Sequence, residues 1–218
     1  MDRKEFIKKG LSSVGTIVGI STVIASCGND EPANGDCALS PSETAGPFPI
    51  KTPSALVREN IISGRTGAAL LMTLTIHDQS NGCAPLPGVF VDVWHCDADG
   101  NYSEYGSLTA QSFLRGRQTT DSNGQVSFIS IFPGWYPGRA PHIHVEVQDA
   151  NENSIRVTQI SFPKSVCDTV YASAEYNGTA DTSNSSDGVF ANSLDGNMAD
   201  EVTGNVTDGY TLLKTIVV

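Results

Sequence analysis

Basic residues are scarce in this chain: 13 Lys and Arg stand against 24 Asp and Glu over 218 residues, and four of the 13 (Arg3, Lys4, Lys8, Lys9) cluster at the N-terminus. Without residues 1–26, 9 basic residues face 22 acidic ones, a net charge of −13. Such a surface repels phosphate backbones and excludes nucleic acid as a partner. Apolar runs of bilayer length are also missing, since the stretch over residues 11–25 falls short of the ~20 residues a spanning helix needs. Only five cysteines occur, none in the paired spacing of a zinc finger. Beyond residue 37 there is no convincing amphipathic helical period, which argues against helical bundles and α/β folds. What the chain has in quantity is 21 Gly and 11 Pro, the composition of many turns between short strands. The expectation is one all-β domain of catalytic size.

The basic cluster followed by a small-residue-rich apolar stretch has the form of an export signal. It ends in Ile24-Ala25-Ser26-Cys27, which resembles a bacterial lipobox. Cys27 is therefore expected to carry a lipid and anchor the protein in the bacterial cell envelope, a plain secretory peptide being the alternative. Lys4 stands where a twin-arginine signal has its second Arg, which leaves both export routes open. Residues 27–36 are polar with Gly and Pro and read as a flexible tether, and residues 37–218 as the folded domain. Four cysteines follow Cys27, namely Cys37, Cys83, Cys96 and Cys167. In an oxidising compartment an even number points to two disulfides, with three connectivities open.

Within the domain, residues 68–78 place Leu70, Met72, Leu74 and Ile76 on one face and Thr73, Thr75 and His77 on the other, the period of a strand. Residues 88–96 alternate Val89, Val91 and Val93 against Phe90, Asp92 and Trp94. After an Asp121-Ser122-Asn123-Gly124 turn, further strands are expected at 125–132, 142–148, 155–162 and 210–218. Residues 168–208 are rich in Asn, Asp, Ser and Gly with little periodicity and read as long surface loops. Short strands joined by turns predict a β-sandwich of mainly antiparallel strands with long loops.

On the strand at 142–148, His142, His144, Glu146 and Gln148 share one face and Ile143, Val145 and Val147 the other. Two imidazoles at i and i+2 can converge on one ion, although two hydrogen-bonded structural histidines give the same pattern. The loop before them, Pro133-Gly134-Trp135-Tyr136-Pro137-Gly138-Arg139, holds a tyrosine and an arginine on a Gly/Pro-constrained backbone. Far upstream, Trp94-His95-Cys96-Asp97-Ala98-Asp99-Gly100-Asn101-Tyr102 brings a strand end, an acidic turn and a second tyrosine. The acidic turn lacks the remaining ligands of an EF-hand. Trp94 reads equally as pocket wall or core filler.

Taken in order, residues 40–48 (Ser-Pro-Ser-Glu-Thr-Ala-Gly-Pro-Phe), 86–95 (Leu-Pro-Gly-Val-Phe-Val-Asp-Val-Trp-His) with Tyr102, 115–121 (Arg-Gly-Arg-Gln-Thr-Thr-Asp), 133–144 and 158–162 (Thr-Gln-Ile-Ser-Phe) resemble the intradiol ring-cleavage dioxygenases. That family has a β-sandwich core and cleaves catechol rings between their two hydroxylated carbons. The resemblance implies iron(III) bound by Tyr102, Tyr136, His142 and His144, with Tyr136 the ligand that leaves when a catechol-type substrate chelates. Hard phenolate oxygens suit a hard ferric ion, and neutral imidazoles complete such a set. It further implies Arg139 and Gln159 beside the substrate, O2 as co-substrate, a muconate-type diacid as product and a second copy of the chain as an allowed partner. The short connection from Tyr136 to His142 leaves the ring substituents open. Residues 37–67 are too few for the helical region of the catechol-cleaving branch, so the architecture looks closer to the compact protocatechuate-like one.

Two rivals belong to other classes. One is a surface-anchored β-sandwich module that binds ligands without turnover. The other is a zinc hydrolase, for which His142 and His144 lack a third ligand at hydrolase spacing.

Overall fold

The computed structural model describes residues 37–218. The expectations about the export signal, Cys27 and the tether lie outside the described residues. Among the described residues nine strands and two α-helices follow in order: β1 (Ala69–Asp78), β2 (Ala84–Pro85), β3 (Phe90–Trp94), β4 (Arg115–Thr119), β5 (Gln125–Ile131), β6 (His142–Gln148), β7 (Ser154–Ser161), α1 (Lys164–Tyr171), α2 (Leu194–Asn197), β8 (Glu201–Asn205) and β9 (Gly209–Val217).

The strands form two sheets. In the first, β1 pairs antiparallel with β5 and β2 on one side and parallel with β9 on the other, and β9 carries β8 antiparallel. The second is fully antiparallel in the order β4-β3-β6-β7. This is the expected β-sandwich. Alternation along each strand explains why the sheets stack. Leu70, Met72, Leu74 and Ile76 of β1, Phe128 of β5 and Leu212 and Ile216 of β9 bury one inner face. Val91, Val93, Ile143, Val145, Val147 and Ile160 bury the other.

Two expectations require correction. Only one disulfide is present among the described residues, joining Cys37 to Cys83, while Cys96 and Cys167 are separate buried thiols. Cys96 lies at the end of β3 in an aromatic cluster and Cys167 on α1 against the sandwich core, so each is packed as a small apolar residue. The polar stretch at 168–208 is not a set of solvated loops. It contains the second half of α1 and all of α2 and β8, and its Asp187, Phe190 and Asn197 are fully buried. Its side chains tie it down by hydrogen bonds: Asn184 donates to the Phe162 carbonyl, Asn197 to the Gln159 carbonyl and Ser193 to Glu43.

Candidate metal centre

Strand register assembles the site. Trp94 lies opposite Arg115 on β4 and His144 on β6, and His144 lies opposite Gln159 on β7. Directly opposed residues share a face, so Arg115, Trp94, His144 and Gln159 make one row across the outer side of the second sheet. His142, two residues before His144, joins that face opposite Ser161. All are buried, His142 at 3% and His144 at 1% exposure, because loops cover the outer face as the first sheet covers the inner one.

The imidazoles converge. His142 donates from Nδ1 to the Ala140 carbonyl at 2.6 Å, which leaves a bare lone pair on Nε2. That atom lies 3.1 Å from His144 Nε2 and 3.4 Å from the Tyr102 hydroxyl. Burial, then the Arg139 charge, pushes the His142 pKa down to about 3, so the ring is neutral. Burial and the adjacent His142 hold His144 well below its ordinary value, and the Thr44 backbone opposes this from outside hydrogen-bonding geometry, since His144 Nδ1 has no bonded partner. Trp94 settles between its two readings by stacking parallel on His144 with ring centroids 4.9 Å apart, and it forms the wall behind the histidine.

The tyrosines arrive on two loops that pack back to back. Gly134 presses on the Asp97 and Ala98 backbone, and Gly100, at φ +86°, presses on the Trp135 carbonyl; a Cβ at either would collide with backbone. Tyr102 is buried, stacked on Phe48 at 4.7 Å, and its ring centroid lies 5.8 Å from that of Tyr136. Tyr136 is half-buried, 5.7 Å from the His142 ring between centroids. Burial raises the pKa of both phenols, and the Arg139 charge opposes it in each case. A cleft of about 260 Å³ opens onto the pair, walled by Phe48, Tyr105 and Leu108.

Arg139 reaches all four groups electrostatically, favouring phenolate over phenol and neutral over charged imidazole. It donates through Nη2 to Gln159 Oε1 at 2.6 Å and through Nε to Asp187 at 2.8 Å. Gln159 in turn donates to the Thr44 carbonyl at 2.8 Å. All six residues singled out from the sequence therefore meet in one place.

These residues fit a metal. Two nitrogens, each ~2.1 Å from one ion and roughly at right angles, stand about 3 Å apart, which is the spacing of the two Nε2 atoms. Among the described residues no three His, Cys, Asp or Glu side chains gather as a metal site, so a metal held here depends on the two phenols. A His2Tyr2 donor set is hard and lacks thiolate, a choice that favours a ferric ion over softer ones.

Sequence reasoning passed over three participants. Asp187 sits in a Ser-Ser-Asp-Gly string indistinguishable from an ordinary turn. Gly46, at φ +66°, leaves space beside the histidine: an added Cβ would lie 3.0 Å from His144 Cε1. Thr44 meets Gln159 through its carbonyl, which no side-chain pattern could reveal.

Fold and site together define a β-sandwich protein with a His2Tyr2 cluster, buried except at Tyr136, over the outer face of one sheet. A family model described as a dioxygenase matches residues 51–198. An intradiol ring-cleavage dioxygenase from Tetranychus urticae is 32% identical, with a TM-score of 0.74 over 83% of this chain and 94% of that one. Curated relatives include the protocatechuate 3,4-dioxygenase beta chain of Burkholderia cepacia, 32% identical over 109 residues (44% of this chain, 46% of the relative). Chlorocatechol 1,2-dioxygenase of Rhodococcus opacus is 29% identical over 116 residues, 44% of each chain. The chain thus spans less than half the length of these curated relatives. It belongs to the dioxygenase family, among the intradiol ring-cleavage dioxygenases.

Proposed function

We propose that this protein is a non-haem iron(III) dioxygenase that inserts both atoms of O2 into a catechol-type ring and releases a muconate-type diacid. The observation that carries the reading is the convergence of the His142 and His144 Nε2 atoms at 3.1 Å, with the Tyr102 hydroxyl 3.4 Å from the first. Tyr102, Tyr136, His142 and His144 would hold the iron, which when bound supplies a Lewis acid and a template for the two catechol oxygens.

The side chains divide the remaining work. Tyr102 is enclosed and stays in place, whereas Tyr136 is half-buried on a short Gly/Pro loop at the cleft and is the phenol free to give way to substrate. Burial raises the affinity of the Tyr136 phenol for a proton, which it would hold when not bound to a metal. Arg139 offers fixed positive charge to a catecholate dianion and to negative charge developing on the ring. The Gln159 amide, held between Arg139 and Thr44, presents a hydrogen-bonding edge of set orientation beside His144. Trp94 and Phe48 exclude water from the reacting region.

The setting we propose is the bacterial cell envelope, with a lipid on Cys27. The Cys37–Cys83 disulfide supports an oxidising compartment. Palmitate labelling that survives Cys27→Ser would remove the anchor. For the activity, the purified protein is expected to contain iron, absorb in the visible through tyrosinate-to-iron(III) charge transfer, shift that band with catechol and consume O2. Iron-replete but colourless protein would sink the ligand assignment, and catechol binding without oxygen uptake would favour a non-catalytic binding module.

A further inference from the structure

We propose that Asp187 is a positioning residue for the reaction: it fixes Arg139 beside the metal-binding side chains. The proposal rests on the dioxygenase reading above. Asp187 comes from the polar stretch after α1, yet it is fully buried and every acceptor position it offers is used. Its Oδ2 accepts from Arg139 Nε at 2.8 Å and from the Ala140 amide at 2.7 Å. Its Oδ1 accepts from the Val189 amide at 2.8 Å and the Phe190 amide at 3.4 Å. Burial works to raise its pKa, but the Ala140 and Val189 amides and the Arg139 guanidinium overcome this and hold it below the usual carboxylate range.

The partners are consecutive in the chain that leads from Tyr136 into β6. Ala140 is held by its two flanking peptides, its N–H by Asp187 and its carbonyl by His142 Nδ1 at 2.6 Å. The guanidinium is clamped between Asp187 at Nε and Gln159 at Nη2. Two fixed points in the plane of the guanidinium determine its orientation. Without the carboxylate, Arg139 loses its hydrogen bond at Nε and its charge no longer has a set position relative to Tyr136, His142 and His144. A carboxylate is required because both oxygens must accept. An asparagine would turn its NH2 group toward a backbone N–H on one side or toward Arg139 and Ala140 on the other.

The test compares the full-length wild type with Asp187→Asn, Arg139→Met and the double variant. Three readouts are taken: iron content with the visible band, kcat and KM for catechol, and solvent exchange of the Arg139 Nε–H by NMR on protein carrying diamagnetic gallium(III) in place of iron. Asp187→Asn is expected to keep its iron and colour, lose about 10- to 100-fold in kcat with KM little changed, and exchange the Arg139 Nε–H at least roughly tenfold faster. The double variant is expected to be no slower than Arg139→Met alone, as for residues acting through one another. Wild-type kcat and exchange in Asp187→Asn, multiplied losses in the double variant, or loss of iron along with kcat would each overturn the proposal. If the wild type oxidises no catechol, the dioxygenase reading fails, and the exchange measurement still decides whether Asp187 holds Arg139.

Discussion

On β6, Ile143, Val145 and Val147 turn into the sandwich while His142 and His144 turn away from it, and all five side chains are buried. The two faces are buried by different means. The inner one meets a second sheet, so any apolar side chain of suitable volume satisfies it. The outer one is roofed by the segments around residues 44–48, 97–102, 133–140 and 187, each delivering a particular atom: the Thr44 carbonyl, the Tyr102 hydroxyl, the Ala140 carbonyl, the Asp187 carboxylate. A strand that alternates thus makes stability on one side and chemistry on the other, and adjacent residues should fail in different ways.

The sharpest way to break that contrast is to substitute neighbours. His144→Ala is expected to abolish iron binding, the visible band and oxygen uptake, while the melting temperature of the metal-free protein changes little. Ile143→Ala, one residue away and fully buried, is expected to cost ~2–5 kcal/mol of stability through the cavity it leaves, with activity per folded molecule retained. Iron analysis and thermal melts on the pair would decide. Equal loss of activity from both would mean the faces are not independent.

A third expectation concerns pH and sets His95 beside the same comparison. His95 is held neutral in the interior, its Nε2 2.7 Å from the Ser130 hydroxyl and its Nδ1 2.8 Å from the Cys96 carbonyl. Burial is the main cause pushing its pKa down from 6.5 to about 4. The unfolded chain therefore takes up the proton first as pH falls. The stability His95 contributes is complete above about pH 6.5 and is lost as pH drops towards 4, amounting to ~3 kcal/mol. Melting temperatures of the metal-free protein should fall over that window, and less steeply for His95→Gln; identical slopes would assign the acid loss to other groups.

What the sequence disclosed follows from the same division. The alternation of β1, β3 and β6 was readable because the inner face imposes period two, and the strand at 142–148 matches its expected bounds. Tyr102, Tyr136, Arg139 and Gln159 were reachable through family resemblance, since side-chain identity marks them. The rest of the roof was not readable. Backbone carbonyls carry no sequence signature, β4 reads Arg-Gly-Arg-Gln-Thr with no apolar alternation, and Asp187 lies in a stretch whose composition is that of a solvated loop. Its order comes from long-range hydrogen bonds such as Trp135 Nε1 to the Gly178 carbonyl at 2.8 Å, which local patterning cannot anticipate. The cysteine count misled for a related reason, because parity takes no account of where Cys96 and Cys167 are buried.

The smallest expected effect tests that same stretch from its exposed end. Lys164 and Asp168 form an ion pair at 2.6 Å one turn apart on α1, with side chains 76% and 50% exposed. Arg139 and Asp187 form one at 2.8 Å with exposures of 14% and 0%. Distance alone would rank the first pair as the stronger. Water and the entropy of two long side chains cancel most of its attraction, so Lys164→Ala should change stability by less than ~0.5 kcal/mol and leave catechol oxidation as it was. Chemical denaturation beside the Asp187→Asn variant would measure the difference. A loss at Lys164 comparable to that at Asp187 would mean that α1, and not the buried carboxylate, fastens the polar segment over the site.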